Sequence, residues 1–259
     1  MNFKNFLLEV STEGIAVLTI NRAEIRNALN TECWTEIGTF VDYVARSEDI
    51  KVAIITGAGE KAFVAGADLK AVNALSTVDI LGAGAQSVLR RVEDCHKPFI
   101  AAVNGVAFGG GCELAIACDI RVVAENAMFG LPEIGIGLLP GAGGTQKLAK
   151  LIGLGRAKEV ILAGRIISGS EAVQIGLAYK SVPPADLLTE AKAVAATMLS
   201  KGPLAMGLSK KLIAASLATD QDAGLLLETL GFALTVASED RAEGIDAFFN
   251  KRKPVFKGR

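Results

Sequence analysis

Four short strand-like runs, Ile15–Ile20, Val52–Thr56, Phe99–Val103 and Ile120–Ala124, are each rich in β-branched and apolar residues, bounded by Gly, Asn, Pro or charged residues, and read as strands. Between them the apolar positions change period. In Asn30–Arg46, Trp34, Ile37, Val41 and Val44 fall on one helical stripe, and Asn30 is placed to cap its start. A second helix is predicted from about Val78 to Asp94. Strands interleaved with helices indicate an α/β fold. From Pro184 onward the pattern is helical almost throughout, with segments Asp186–Leu199, Pro203–Leu217, Gln221–Ala237 and Asp240–Phe249 before a polar, basic tail, Asn250–Arg259. The expected organisation is an α/β core over residues 1–200 and a helical part over residues 201–259, packed together because no Ser- or Pro-rich linker divides them. No repeat of fixed period is visible. Leu225, Leu226, Leu227, Leu230, Phe232, Leu234 and Val236 spread around more of their helix than the single stripe that docking on a core requires. That helix either meets a second surface or is buried deep in its own subunit.

Composition removes several function classes. The chain has 259 residues, 51% of them hydrophobic, which is enough for a sizeable core. Lys plus Arg number 27 against 28 Asp plus Glu, so the clustered positive charge that nucleic acid requires is missing. The longest stretch free of charge, Pro98–Cys112, contains Asn104 and four glycines and is shorter than the about 20 apolar residues of a membrane span. The N-terminus carries no continuous apolar segment of the kind a signal peptide needs. These features lead us to expect a cytoplasmic protein that binds neither nucleic acid nor membrane. Cys33, Cys95, Cys112 and Cys118 form no CxxC pair and read as buried thiols, so no metal site is expected. The one histidine, His96, precedes Lys97-Pro98 at a helix-to-strand corner and reads as a loop residue. Chemistry therefore falls to carboxylates and backbone groups.

Val52–Thr56 followed by Gly57-Ala58-Gly59-Glu60-Lys61-Ala62 imitates a dinucleotide-binding fingerprint. That fingerprint needs a helix opening at its glycines, and Gly66 interrupts any helix here, so a turn between strands is expected. Residues 98–146 hold ten of the 28 glycines but only five charged side chains: Glu113, Asp119, Arg121, Glu125 and Glu133. Burial in such a tract raises a carboxyl pKa toward the range useful for acid–base catalysis. Gly109-Gly110-Gly111 lead into the apolar segment carrying Glu113, and a helix start there leaves amide donors free for an anion. Each carboxylate also has an ordinary structural reading, Glu113 as a first-turn acid and Glu133 as the partner of Pro132 at a helix start. Residue chemistry alone leaves both readings open.

Ile100–Asp119 (IAAVNGVAFGGGCELAIACD) resembles the signature of the enoyl-CoA hydratase/isomerase (crotonase) family. Phe129–Glu133 (FGLPE) and Leu139–Gln146 (LPGAGGTQ) follow at the expected distances. Upstream, Asn21, Arg22, Arg26, Asn27, Ala28 and Leu29 and then Phe63–Leu69 (FVAGADL) match in order, as does the closing segment from Glu243-Gly244 to Gly258-Arg259. The resemblance implies a crotonase-like spiral of ββα turns with a helical C-terminal region that assembles homotrimers or homohexamers. It implies an acyl-CoA thioester as substrate, coenzyme A being part of the substrate and no separate cofactor being needed, in chemistry of the β-oxidation type. Carried over by position, it places the oxyanion hole at the backbone N–H groups of Ala67 and Gly110 and the acid–base pair at Glu113 and Glu133. It places substrate contacts at Glu24, Arg26, Ala28, Ala65, Asp68, Leu69, Lys70 and Gly109, and brings Phe248 and Lys251 into consideration for the CoA end. Both carboxylates being present favours a hydratase. The alternatives are a Δ3,Δ2-enoyl-CoA isomerase, a specialised acyl-CoA dehydratase, and a catalytically silent RNA-binding or assembly member. One departure is Leu131, where family hydratases often carry Gln before the Pro-Glu pair.

Overall fold

A computed structural model describes residues 1–81 and 84–259. The chain enters as an antiparallel hairpin, β1 (Phe6–Val10) with β2 (Ile15–Ile20), followed by α1 (Thr31–Arg46). A repeating unit then begins: one strand, a corner, a short strand and helix. The first unit is β3 (Val52–Gly57) and β4 (Ala62–Val64) with α2 (Leu69–Asn73), α3 (Thr77–Leu81) and α4 (Ala85–Asp94). Next come β5 (Phe99–Val103), β6 (Val106–Phe108) and α5 (Gly110–Ala117), then β7 (Ile120–Ala124), β8 (Met128–Gly130), α6 (Gly144–Ile152) and α7 (Leu154–Leu162). β9 (Ile167–Ser168), α8 (Gly169–Gln174) and β10 (Lys180–Val182) close the spiral. The first strand of each unit joins a six-stranded sheet ordered β1-β2-β3-β5-β7-β10, and the second joins a four-stranded sheet ordered β4-β6-β8-β9. This is the ββα spiral that the resemblance implies.

The longer strands read clearly because the sheet is buried on both faces. Every residue of β3 and β5 is buried. Ala53 and Ile55 face the core that includes Ile37, Phe40, Val41 and Val44 of α1, whereas Val52 and Ile54 face Leu187, Ala191, Val194 and Ala195 of α9 (Leu187–Leu199). Asn30 caps α1 as expected, its side-chain oxygen accepting from Cys33 N–H at 2.9 Å. At the β3–β4 corner Gly59 has φ +75°, and the chain turns into β4 rather than into a helix, which disposes of the dinucleotide fingerprint. Asn104, at the next corner, donates to Gly57 O at 3.0 Å and Gly59 O at 2.7 Å, so one turn of the spiral is hydrogen-bonded to the turn before it.

The helix predicted over Val78–Asp94 is not one helix. Gly84, with φ −71° and ψ −169°, is extended and stands as the N-cap of α4, after the separate α3. Residues 82 and 83 of that predicted span lie outside the described residues. Elsewhere tight packing demands glycine. A methyl group on Gly111 would lie 2.2 Å from Val64 O, because α5 rests directly on the backbone of β4. Gly111→Ala should therefore cost about 1–3 kcal/mol, lowering the melting temperature by about 2–10 °C in a thermal unfolding experiment. A variant that melts with the wild type would contradict this packing.

The last helices are α10 (Pro203–Ala215), α11 (Gln221–Val236) and α12 (Glu239–Phe249). In α11 only Gly231 is buried, and Leu226, Phe232 and Leu234 are 61%, 69% and 58% exposed. Deep burial within one subunit is thus excluded for this helix. Among the described residues no helix is long and apolar enough to cross a membrane.

Candidate active site

Two loops carry backbone donors toward each other. Arg26 and Asn27 adopt left-handed backbone, φ 54° and 58°. Asn27 is buried and holds the loop there, its oxygen accepting from Arg22 N–H at 3.0 Å and its amide donating to Ala58 O at 3.0 Å and Ala62 O at 2.8 Å. The loop then pairs with residues 65–68 like a strand. Ala65 N–H donates to Arg26 O, Leu29 N–H to Gly66 O and Asp68 N–H to Leu29 O, at 3.0, 2.9 and 2.8 Å. Leu29 and Ala67 form a parallel bridge, in which residues 66 and 68 use their peptide groups toward Leu29 and the N–H of Ala67 points away. On the second loop, Gly109 (φ 52°, ψ −125°) donates to Gly130 O at 3.0 Å, and Gly110 opens α5 with the orphan N–H of a helix start. Among the described residues neither Ala67 N–H nor Gly110 N–H meets a backbone acceptor. The loops abut at glycines, since a methyl on Gly109 would lie 3.8 Å from Gly66 Cα.

Both carboxylates flank this junction. Glu113, on the first turn of α5, is 2% exposed, and its Oε1 accepts from Ala142 N–H at 2.7 Å and Gly144 N–H at 2.8 Å. It does not serve its own helix start; it is held by the N-terminus of α6. Burial pushes its pKa up, opposed by the Gly144 and Ala142 amides and the Lys147 charge. Glu133 opens the 3-10 helix Glu133–Ile136 after Pro132, as the Pro-Glu pairing suggests. Its Oε1 lies where a methyl on Gly109 would come within 3.1 Å, and its Oε2 is buried with no hydrogen-bond partner among the described residues. Burial pushes its pKa up to about 6, and the Glu113 charge adds to the effect. Leu131 is 1% exposed and packs against Gly144, so it gives neither carboxylate a polar contact. One carboxylate is thus hydrogen-bonded in its charged form, while the other has an unsatisfied oxygen that favours its proton. Such a pair separates the roles of base and acid.

The other expected contacts lie around the same two loops. Glu24, in the 3-10 helix Ala23–Ile25, and Arg26 are exposed. Ala28 is half-buried, with its carbonyl accepting from Arg22 Nη1 at 2.6 Å. Ala65 and Asp68 are half-buried, Asp68 caps α2, and Leu69 and Lys70 are exposed on its first turn. Phe248 and Lys251 are not brought to this cluster by contacts within the chain. Phe248 is 79% exposed at the end of α12, packing edge-on against Phe249. His96 is exposed on the loop between α4 and β5, and all four cysteines are buried free thiols, as expected. Sequence reasoning overlooked the roles of Asn27 and of the amides of Ala142 and Gly144. The glycine run in Leu139–Gln146 was the one available signal for the amides.

The sequence matches the family model for enoyl-CoA hydratase/isomerase over residues 11–259. It is 46% identical to a crotonyl-CoA hydratase of Syntrophomonas wolfei over 258 residues, covering 99% of both chains. It is 42% identical to a short-chain-enoyl-CoA hydratase of Clostridium acetobutylicum, covering 98% of this chain and 97% of that one. A crystal structure of an enoyl-CoA hydratase from Bacillus anthracis superposes with a TM-score of 0.94 at 39% identity, covering 99% of this chain and all of that one. Spiral, paired carboxylates and whole-length similarity lead to one conclusion: the chain belongs to the enoyl-CoA hydratase/isomerase family.

Proposed function

We propose that this protein is an enoyl-CoA hydratase, adding water reversibly and syn across the C2=C3 bond of a 2-enoyl-CoA to give a 3-hydroxyacyl-CoA. The observation that carries this reading is the pair of carboxylates with unlike surroundings, Glu113 buried and Glu133 half-buried, set beside two backbone donors that are unpaired among the described residues. Glu113 takes a proton from water as its oxygen attacks C3. Negative charge then builds on the thioester oxygen, which accepts hydrogen bonds from Ala67 N–H and Gly110 N–H. Glu133 delivers its proton to C2, and dehydration reverses the two roles. No electrons pass to an acceptor, so the two carboxylates and two amides suffice, and coenzyme A arrives as part of the substrate. Glu24, Arg26 and Ala28 contact the CoA portion, while Ala65, Asp68, Leu69, Lys70 and Gly109 border the thioester. The reaction is of the β-oxidation type, carried out in the cytoplasm, a location that the four free thiols favour.

The working form is a homotrimer or a pair of trimers, joined through the helices that follow the 1–200 core. The exposed leucines and phenylalanine of α11 support a second copy as their cover. Light scattering at micromolar concentration should return the mass of three or six chains, and one or two chains would contradict the assembly. Activity is tested by following hydration over a panel of 2-enoyl-CoA chain lengths, with a 3-enoyl-CoA included. Faster hydration of 2-enoyl substrates than isomerisation of the 3-enoyl one is expected, and the opposite order overturns the hydratase reading.

The acid role of Glu133 has a pH signature. It must hold a proton to act in hydration, so kcat/KM should decline as pH rises through its free-enzyme pKa of about 6. An acyl chain seated over the site excludes more water and raises that pKa, so the alkaline limb of kcat should lie at higher pH than that of kcat/KM. Coincident limbs, or a kcat/KM that rises through this range, would contradict the assignment.

A further inference from the structure

We infer that Lys147, anchored by Glu93, is a positioning residue for Glu113: its side chain pins the Ala142–Gly144 turn whose amides hold that carboxylate, and sets a positive charge beside that turn. Lys147 does not extend into water from α6. It folds back over Gly143, where a methyl group would lie 2.8 Å from its Cε, 3.1 Å from its Nζ and 3.2 Å from its Cδ. Gly143 has φ +110°, and the residues on either side of it, Ala142 and Gly144, are the two that donate to Glu113. The Lys147 ammonium reaches Glu93 Oε1 of α4 at 2.7 Å, with the side chains only 22% and 32% exposed, and Lys147 N–H donates to Gly143 O at 2.9 Å. An unpaired lysine at such a site would extend its head group to water, so Glu93 is what holds it folded.

The arrangement also carries charge to Glu113, since Lys147 opposes the upward push of burial on its pKa. The groups around Glu113 are Glu133 from the 3-10 helix, Lys147 from α6, Glu93 from α4 acting through Lys147, and Cys112 on its own helix. Arg121 of β7 binds Ala115 O and Cys118 O at the far end of α5. Removing Lys147 therefore raises the Glu113 pKa, whereas Glu93→Gln, whose amide oxygen still accepts from the Lys147 ammonium and keeps it folded, removes only the negative charge that offsets Lys147 and so lowers it. A merely structural pair would not give opposite signs.

Because the inference rests on Glu113 serving as the base proposed above, two readouts are needed. The first is the acid limb of kcat/KM for crotonyl-CoA hydration. The second is a carbon-13 NMR titration of the Glu113 carboxyl in the free protein, assigned by its loss in Glu113→Gln. Lys147→Met should move both up by about half a pH unit or more, and Glu93→Gln should move both down. Lys147→Arg should restore the wild-type position, and the double variant Glu93→Gln/Lys147→Met should fall between the single ones. If Lys147→Met does not fold, Glu93→Gln and Lys147→Arg carry the same test. An unchanged Glu113 titration, or shifts of the same sign in the two single variants, overturns the inference. Opposite NMR shifts in a protein that does not hydrate crotonyl-CoA would uphold it and refute the hydratase reading instead.

Discussion

Glu113→Gln and Glu133→Gln are each expected to lower crotonyl-CoA hydration by about a hundredfold or more, the scale of lost general acid–base catalysis, with the fold intact. The fold survives for different reasons at the two positions. At Glu113 the glutamine oxygen still accepts from Ala142 N–H and Gly144 N–H, so the α5–α6 junction keeps both bonds while the base is lost. At Glu133 the native carboxyl already leaves Oε2 without a partner, so the amide breaks no existing bond there. Circular dichroism and thermal melts check the fold, and stopped-flow hydration at saturating substrate measures the chemical step. Near wild-type kcat in both variants, where chemistry limits the rate, would remove the two-carboxylate mechanism.

Gly110→Pro is expected to lower turnover by about 10²–10³. Gly110 is the first residue of α5, a position where proline's fixed φ suits the helix and its missing N–H breaks no helical bond. The substitution therefore deletes one proposed oxyanion donor and adds only the crowding that any Cβ here meets against Trp34, and losing one such donor typically costs about 3–4 kcal/mol, a factor of about 10²–10³ in kcat. Gly110→Ala is the control. It keeps the N–H but sets a methyl 3.2 Å from Trp34 Cζ2, so a modest loss through crowding is expected. A folded proline variant that turns over as fast as Gly110→Ala would place the oxyanion hole elsewhere.

Much of the core was legible because β2, β3, β5 and β7 are long enough to show as mainly apolar runs with distinct boundaries. The three-residue strands β4, β6 and β8 are too short to display any period, so half of each ββα unit escaped the pattern. The repeat itself was hidden because its connections differ: three helices separate β4 from β5, and one separates β6 from β7. The break between α3 and α4 was passed over because Gly84 sits within an otherwise continuous helical pattern. Glu113 and Glu133 stood out chemically, being isolated charges in a glycine-rich tract. Ala67 and Gly110 did not, because a backbone N–H leaves no mark in residue type, and only the resemblance pointed to them. Asn27 escaped as a site residue because its partners Ala58 and Ala62 are far along the chain and offer only carbonyls.

The most direct test of the central claim is the NMR spectrum of the product formed from crotonyl-CoA in D2O. Glu113 activating water and Glu133 protonating C2 predict 3-hydroxybutyryl-CoA with one deuteron at C2, placed syn to the new hydroxyl at C3. Unchanged crotonyl-CoA, a migrated double bond without a hydroxyl, or deuterium at C2 on the opposite face would contradict it.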